Sequence, residues 1–170
     1  PDGIEITMEA NPSSVEAGQS VLLTVAVTPG ANPTSTGLTV TGDLSSIGGS
    51  ATQTFVDDGT NGDAVAGDKT FSFQYTVPGG TALGVKSLPV SIQDAQLRTA
   101  SGSISLTVVA PTPILSIHEI QGSGSVSPYA GQTVKTTFSI VTALKSNGFF
   151  IEVPDADQDA DANTSEGIFV

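Results

Sequence analysis

The run KTFSFQYTV, residues 69–77, places Phe71, Phe73 and Tyr75 at every second position, with Ser72, Gln74 and Thr76 between them. A period of two sends alternate side chains to opposite faces of an extended chain, so the run predicts a strand with one face in a core. The same signal recurs along residues 4–109. IEITMEA sets Ile4, Ile6 and Met8 against Glu5, Thr7 and Glu9, GVKSLPVSIQD aligns Leu88, Val90 and Ile92, and SGSISLTVV aligns Ile104, Leu106 and Val108. SVLLTVAVT and GLTVTG add two more strand-like runs. Clusters of Pro, Gly, Ser and Asn separate these segments, and no helical period intervenes. About seven short strands so spaced predict an all-β chain whose residues 1–110 form an Ig-like antiparallel β-sandwich, without the Cys and Trp hallmarks. Pro89, which has no backbone donor, is expected on an edge strand or at a bulge.

A boundary follows. Pro111 and Pro113 flank Thr112, and such a step reads as a short stiff linker over 111–113. Beyond it the strand pattern restarts in ILSIHEIQG, TVKTTFSIVTAL, GFFIEV and EGIFV, around the turn GSGSVSPYAGQ. Three to four strands over 114–170 are too few to close a barrel. A chain of 170 residues accommodates this two-part division. The absence of cysteine excludes disulfides and thiolate metal sites. No apolar run approaches the roughly 20 residues of a membrane helix. The chain opens at Pro1 with no signal peptide, as expected of a mature or excised fragment.

Charge is scarce and one-sided. Seventeen Asp and Glu face five Lys and Arg, for a net charge of -12. That balance argues against nucleic acid or an anionic membrane as a partner of the chain's own surface. Nine of the seventeen acids lie in two stretches, Asp57, Asp58, Asp63 and Asp68 in one and Asp155, Asp157, Asp159, Asp161 and Glu166 in the other. The remaining eight against five bases leave only -3 elsewhere.

Hard cations such as calcium take six to eight oxygens from a flexible loop. In DDGTNGDAVAGDKTF, Asp57, Asp58, Asn61, Asp63 and Asp68 are interleaved with Gly59, Gly62 and Gly67, whose backbone freedom lets oxygens converge. A structural calcium is the preferred reading there, against a hairpin loop whose Asp and Asn side chains make local turns. In the second stretch, Asp155, Asp157, Asp159, Asp161, Asn163 and Glu166 fall on the ligand places of an EF-hand loop. Ala160 stands where that loop needs glycine, however, and the flanks read as strands. Calcium and a solvated acidic loop guarding a strand edge stand as equal alternatives. His118, the single histidine, lies in a run read as strand and is assigned to packing or surface. One His beside Glu119 is not a nucleophile–base arrangement, so catalysis has no candidate residues and the chain is read as a non-enzyme. Lys135 and Lys145, with Tyr129, Phe149 and Phe150, make too sparse a platform for direct nucleic-acid binding.

Two resemblances extend this reading. SIHEIQGSGSVSPYAGQTVKTTFSIVTALKSNGFFIEVPDADQDADANTSEGIFV resembles the OB-fold-like region of large secreted bacterial nucleases. Its carriers are IHEIQG, SP…GQTV, IVTA…NGFFI, the Asp-rich stretch and TSEGIFV. Phe138-Ser139 departs from a glycine-containing step, Glu152 stands where Gln is usual, and the acidic stretch is extended. In that family the region precedes a catalytic domain of the endonuclease/exonuclease/phosphatase superfamily. The resemblance thus implies a secreted, non-catalytic accessory region, cut before the barrel closes, whose partner is the rest of the parent polypeptide. A homodimer through exposed strand edges is expected of the isolated piece. Residues 1–110 resemble bacterial Ig-like modules of secreted and surface proteins, in which DDGTNGDAVAGDKTFS is a recurrent loop. That implies the alternative role of a cell-surface adhesion or spacer module.

Overall fold

The computed structural model describes residues 3–170, so the reading attached to Pro1 lies outside the described residues. The chain divides into two compact units, Pro1–Pro111 and Thr112–Val170. In the first, eight strands follow in order: β1 Glu5–Asn11, β2 Ser14–Glu16, β3 Ser20–Thr28, β4 Thr39–Gly42, β5 Gln53–Phe55, β6 Thr70–Thr76, β7 Gly84–Gln93 and β8 Thr99–Val109. They build one sheet of order β1-β3-β6 and another of order β2-β8-β7-β4-β5. All pairs are antiparallel except β2 with β8. The chain changes sheet at each connection from β1 through β4 and again on either side of β6. This is the Greek-key crossing of an Ig-like β-sandwich.

The period-2 residues supply the core between the sheets. Val21, Leu23, Val25 and Val27 of β3 face Leu88, Val90 and Ile92 of β7 and Ile104, Leu106 and Val108 of β8, all buried in one cluster. Each such side chain contributes roughly 1.5–3 kcal/mol on leaving water. Phe71 is buried, while Phe73 and Tyr75 pack half-buried against the same cluster. β2 and β5 have three residues each. That is too short for alternation to register, although each puts one side chain, Val15 and Phe55, into the same core.

Pro89 departs from expectation. It sits in β7, an interior strand, in unbroken register opposite Ser103 of β8. Its carbonyl accepts from the Asp43 N–H at 2.8 Å, just past the end of β4 at Gly42. The N and C=O of a strand residue point the same way, so the missing donor faces the β4 side where that ladder has already stopped.

The second unit comprises β9 Ile114–Leu115, helix α1 Ile117–Gln121, β10 Lys135–Thr136, β11 Ile140–Lys145, β12 Gly148–Glu152 and β13 Gly167–Phe169. β9 and β10 pair in parallel, and β11-β12-β13 form an antiparallel sheet. The expected strand through ILSIHEIQG is corrected to a two-residue strand and a helix. Ser116 and Glu119 form a capping box, with the Ser116 N–H donating to Glu119 Oε2 at 2.8 Å. That box starts a helix, and a spacing of three brings Ile117 and Ile120 inward together. Ile117 joins Ile151 and Val153 in a small core against which Ile168 packs. β11, an edge of its sheet, leaves all six of its residues exposed. Among the described residues no helix is long and apolar enough to cross a membrane.

Candidate functional site

The first acidic loop leaves the sandwich at Val56 and returns at Ser72, two residues locked by reciprocal backbone hydrogen bonds of 3.0 and 2.7 Å. Within it the carboxylates collect backbone donors. Asp57 takes the Gly67 N–H on Oδ1 at 2.7 Å and the Lys69 N–H on Oδ2 at 3.1 Å. Asp63 is buried and takes the Gly59 N–H at 2.7 Å. Asp68 takes the Thr70 N–H at 2.7 Å. Gly59, Gly62 and Gly67 all have positive φ. At Gly62 a Cβ would also stand 2.6 Å from the end of the Leu22 side chain, so any other residue would be strained in this turn. One carboxylate oxygen from each of Asp57, Asp63 and Asp68 lies within 4.8 Å of the others. Asp58 instead caps a turn, accepting from the Thr60 N–H and hydroxyl at 2.9 and 2.6 Å. Asn61, at φ 50°, offers its backbone carbonyl to the Gln74 N–H at 2.8 Å.

The second acidic loop is arranged differently from the linear EF-hand pattern. Asp155–Asp157 form a 3-10 turn, and Asp155 accepts from Gln158 Nε2 at 3.3 Å. Asp161 accepts from the Asn163 N–H and side-chain amide at 2.9 and 2.8 Å. Two members of the pattern leave the loop's own turns. Glu166 Oε2 lies 3.2 Å and Asp159 Oδ2 3.9 Å from Nδ1 of His118 on α1. The other Glu166 oxygen accepts the Asp159 N–H at 3.2 Å. Asp159 is oriented by the Asp161 N–H at 2.8 Å and the Thr164 hydroxyl at 3.0 Å. The Asp161 N–H lowers the Asp159 carboxyl below its ordinary range, with Thr164 and the His118 charge in support and partial burial opposing. The Ser116 N–H and hydroxyl lower Glu119 in the same way at the start of α1.

His118 is the residue that sequence reasoning passed over. Its partner Glu166 is 48 residues away, and only the capping box Ser116-x-x-Glu119 and the Ile117/Ile120 spacing advertise the helix that turns it inward. Two aromatic residues of this unit engage each other: Phe150 packs on Phe169 at 5.0 Å, and Lys145 Nζ lies 5.3 and 5.7 Å from the two ring centroids, while Phe138 is exposed.

The fold and the two loops define an all-β chain with an Ig-like antiparallel β-sandwich and two polar clusters. No protein-family model matches it, and no curated protein does. Among solved structures it is similar to the Pseudomonas fluorescens alkylpurine DNA glycosylase AlkC bound to DNA containing an abasic-site analogue, at 14% identity and a TM-score of 0.37. That match covers 65% of this chain and 31% of the glycosylase, so the chain spans about a third of that protein's length. It is also similar to murine CEACAM1b, at 18% identity and a TM-score of 0.37, over 87% of this chain and 90% of that one. Likenesses this distant bear on neither family nor activity.

Proposed function

We propose that the chain is a non-catalytic accessory region of a larger secreted nuclease, which holds the catalytic domain of the same polypeptide in place. The observation that carries this reading is the open sheet of the second unit. β11 is an edge strand with Val141 and Leu144 at 54% and 79% exposure. Such an edge presents unpaired backbone groups and apolar side chains, which a neighbouring polypeptide segment covers. The resemblance of residues 114–170 to the region preceding nuclease catalytic domains names that neighbour by class. In this reading Asp57, Asp63 and Asp68 hold a calcium ion that stiffens the sandwich, with main-chain carbonyls completing the shell.

The test is the coding sequence after Val170, expressed with and without this chain. A catalytic domain of the superfamily, and slower hydrogen exchange in β11 when it is attached, are the expected results. Unchanged exchange, a cell-wall anchor or further Ig-like repeats would overturn the reading and favour an adhesion or spacer module. For the calcium, excess EDTA is expected to lower the first unit's melting temperature. An unchanged midpoint removes the ion.

A further inference from the structure

We propose that His118, Asp159 and Glu166 form a binding site for a divalent transition-metal ion of the zinc type, independent of any nuclease role. Their ligand atoms come from two segments far apart in sequence, yet all lie within 4.8 Å of one another. Around a tetrahedral zinc, ligand atoms at about 2.0–2.2 Å from the metal stand roughly 3.4 Å apart. The His118 Nδ1 distances of 3.2 Å to Glu166 and 3.9 Å to Asp159 bracket that value, and the carboxylate oxygens stand within 4.8 Å of each other. The carboxylates are already aimed. Glu166 is fixed through its other oxygen by the Asp159 N–H, and Asp159 by Thr164 and the Asp161 N–H, as ligating carboxylates are.

The donor chemistry selects the metal. An imidazole nitrogen beside two carboxylate oxygens suits zinc and its neighbours, whereas calcium takes an all-oxygen shell. The side chains are 17%, 30% and 20% exposed for His118, Asp159 and Glu166, so an ion can enter without local unfolding. Beside His118 lies a cleft of about 470 Å³, lined also by Phe138, Val153 and Asp157. The ion would tie the acidic loop to α1 and so pin the second unit's small core.

Because His118 is the single histidine, one set of imidazole signals reports the site. The experiment uses the untagged chain, titrated with zinc chloride by calorimetry and followed by long-range ¹H–¹⁵N spectra of that ring. The expected result is one micromolar or tighter zinc site that shifts the Nδ1 resonance and resists excess calcium. His118→Ala is expected to weaken it at least about 100-fold, more than loss of an outer hydrogen bond does. Glu166→Gln retains the oxygen that accepts the Asp159 N–H, so it tests ligation without unfolding the loop and should weaken zinc in the same direction. Asp57→Asn, in the other loop, should leave it unchanged. Zinc binding absent from the micromolar range, unmoved imidazole signals, or affinity indifferent to His118→Ala and Glu166→Gln would each overturn the site, leaving His118 as an ion-pair partner only.

Discussion

The two units handle the same ingredients in opposite ways. The first seals its apolar residues between two sheets and folds its loop carboxylates toward one another through positive-φ turns at Gly59, Gly62 and Gly67. The second buries only Ile117, Ile151 and Val153 in its sheet-side core, leaves β11 open, and sends Asp159 and Glu166 to an imidazole. Counting carboxylates therefore does not identify a ligand site. What converges on them decides whether they cap turns, cradle a hard cation, or join a nitrogen donor.

The sharpest way to break this contrast is to cut each core. Phe55, 2% exposed and 6.1 Å from Phe73, should cost about 3–5 kcal/mol as Phe55→Ala in denaturant unfolding of the first unit. Ile151→Ala removes less from a core with fewer neighbours and should cost about 2 kcal/mol, at the low end for such truncations. Equal losses would mean that the second core is as sealed as the first.

Glycine substitutions test the sheets next. A Cβ on Gly148 would strike the Val170 backbone carbonyl and the Phe169 ring. Gly148→Ala should therefore cost about 1–3 kcal/mol and speed hydrogen exchange at Phe149 and Val170, which pair across β12 and β13. A Cβ on Gly102 meets only the mobile end of Met8, so Gly102→Ala should cost less. The reverse order would show that the strand β13 is not paired as described.

Acid should weaken the first unit through Asp94, whose carboxylate is fully covered. Burial raises its pKa, but the Arg98 N–H at 2.9 Å, the Ser35 hydroxyl at 2.9 Å and the Arg98 guanidinium at 2.7 Å outweigh that and lower it. A lowered folded value means that this stabilisation is complete above the ordinary carboxylate range and is lost as pH falls through the folded value. Denaturant midpoints of the first unit should thus drop below that range, and Asp94→Asn should flatten the dependence. A slope unaltered by Asp94→Asn would assign acid sensitivity to other carboxylates. The smallest effect belongs to Asp161→Ala, where an exposed turn is lost for less than about 0.5 kcal/mol of stability. A larger loss would show the second loop to be as ordered as the first.

Much of the first unit was legible before any coordinates. Leu88, Val90 and Ile92, and Ile104, Leu106 and Val108, share faces because a strand repeats every two residues, and each trio is buried as the alternation required. β2 and β5 were illegible because three residues carry no period. Pro89 misled because an edge position is the usual way to spare a missing donor, and the other way, a neighbouring strand that stops first, is invisible in one dimension. At ILSIHEI the run of β-formers outweighed two helix signals that were present, the Ser116–Glu119 capping box and the isoleucine spacing.

By itself the sequence determined that the chain is β-rich and which side chains face the first core, since these follow from local periodicity. Only the tertiary structure decided which acids meet. Asp57, Asp63 and Asp68 converge because glycine turns fold one loop on itself. Asp159 and Glu166 reach His118 because a short helix and a distant loop are packed over the same small core, a juxtaposition that no local pattern encodes.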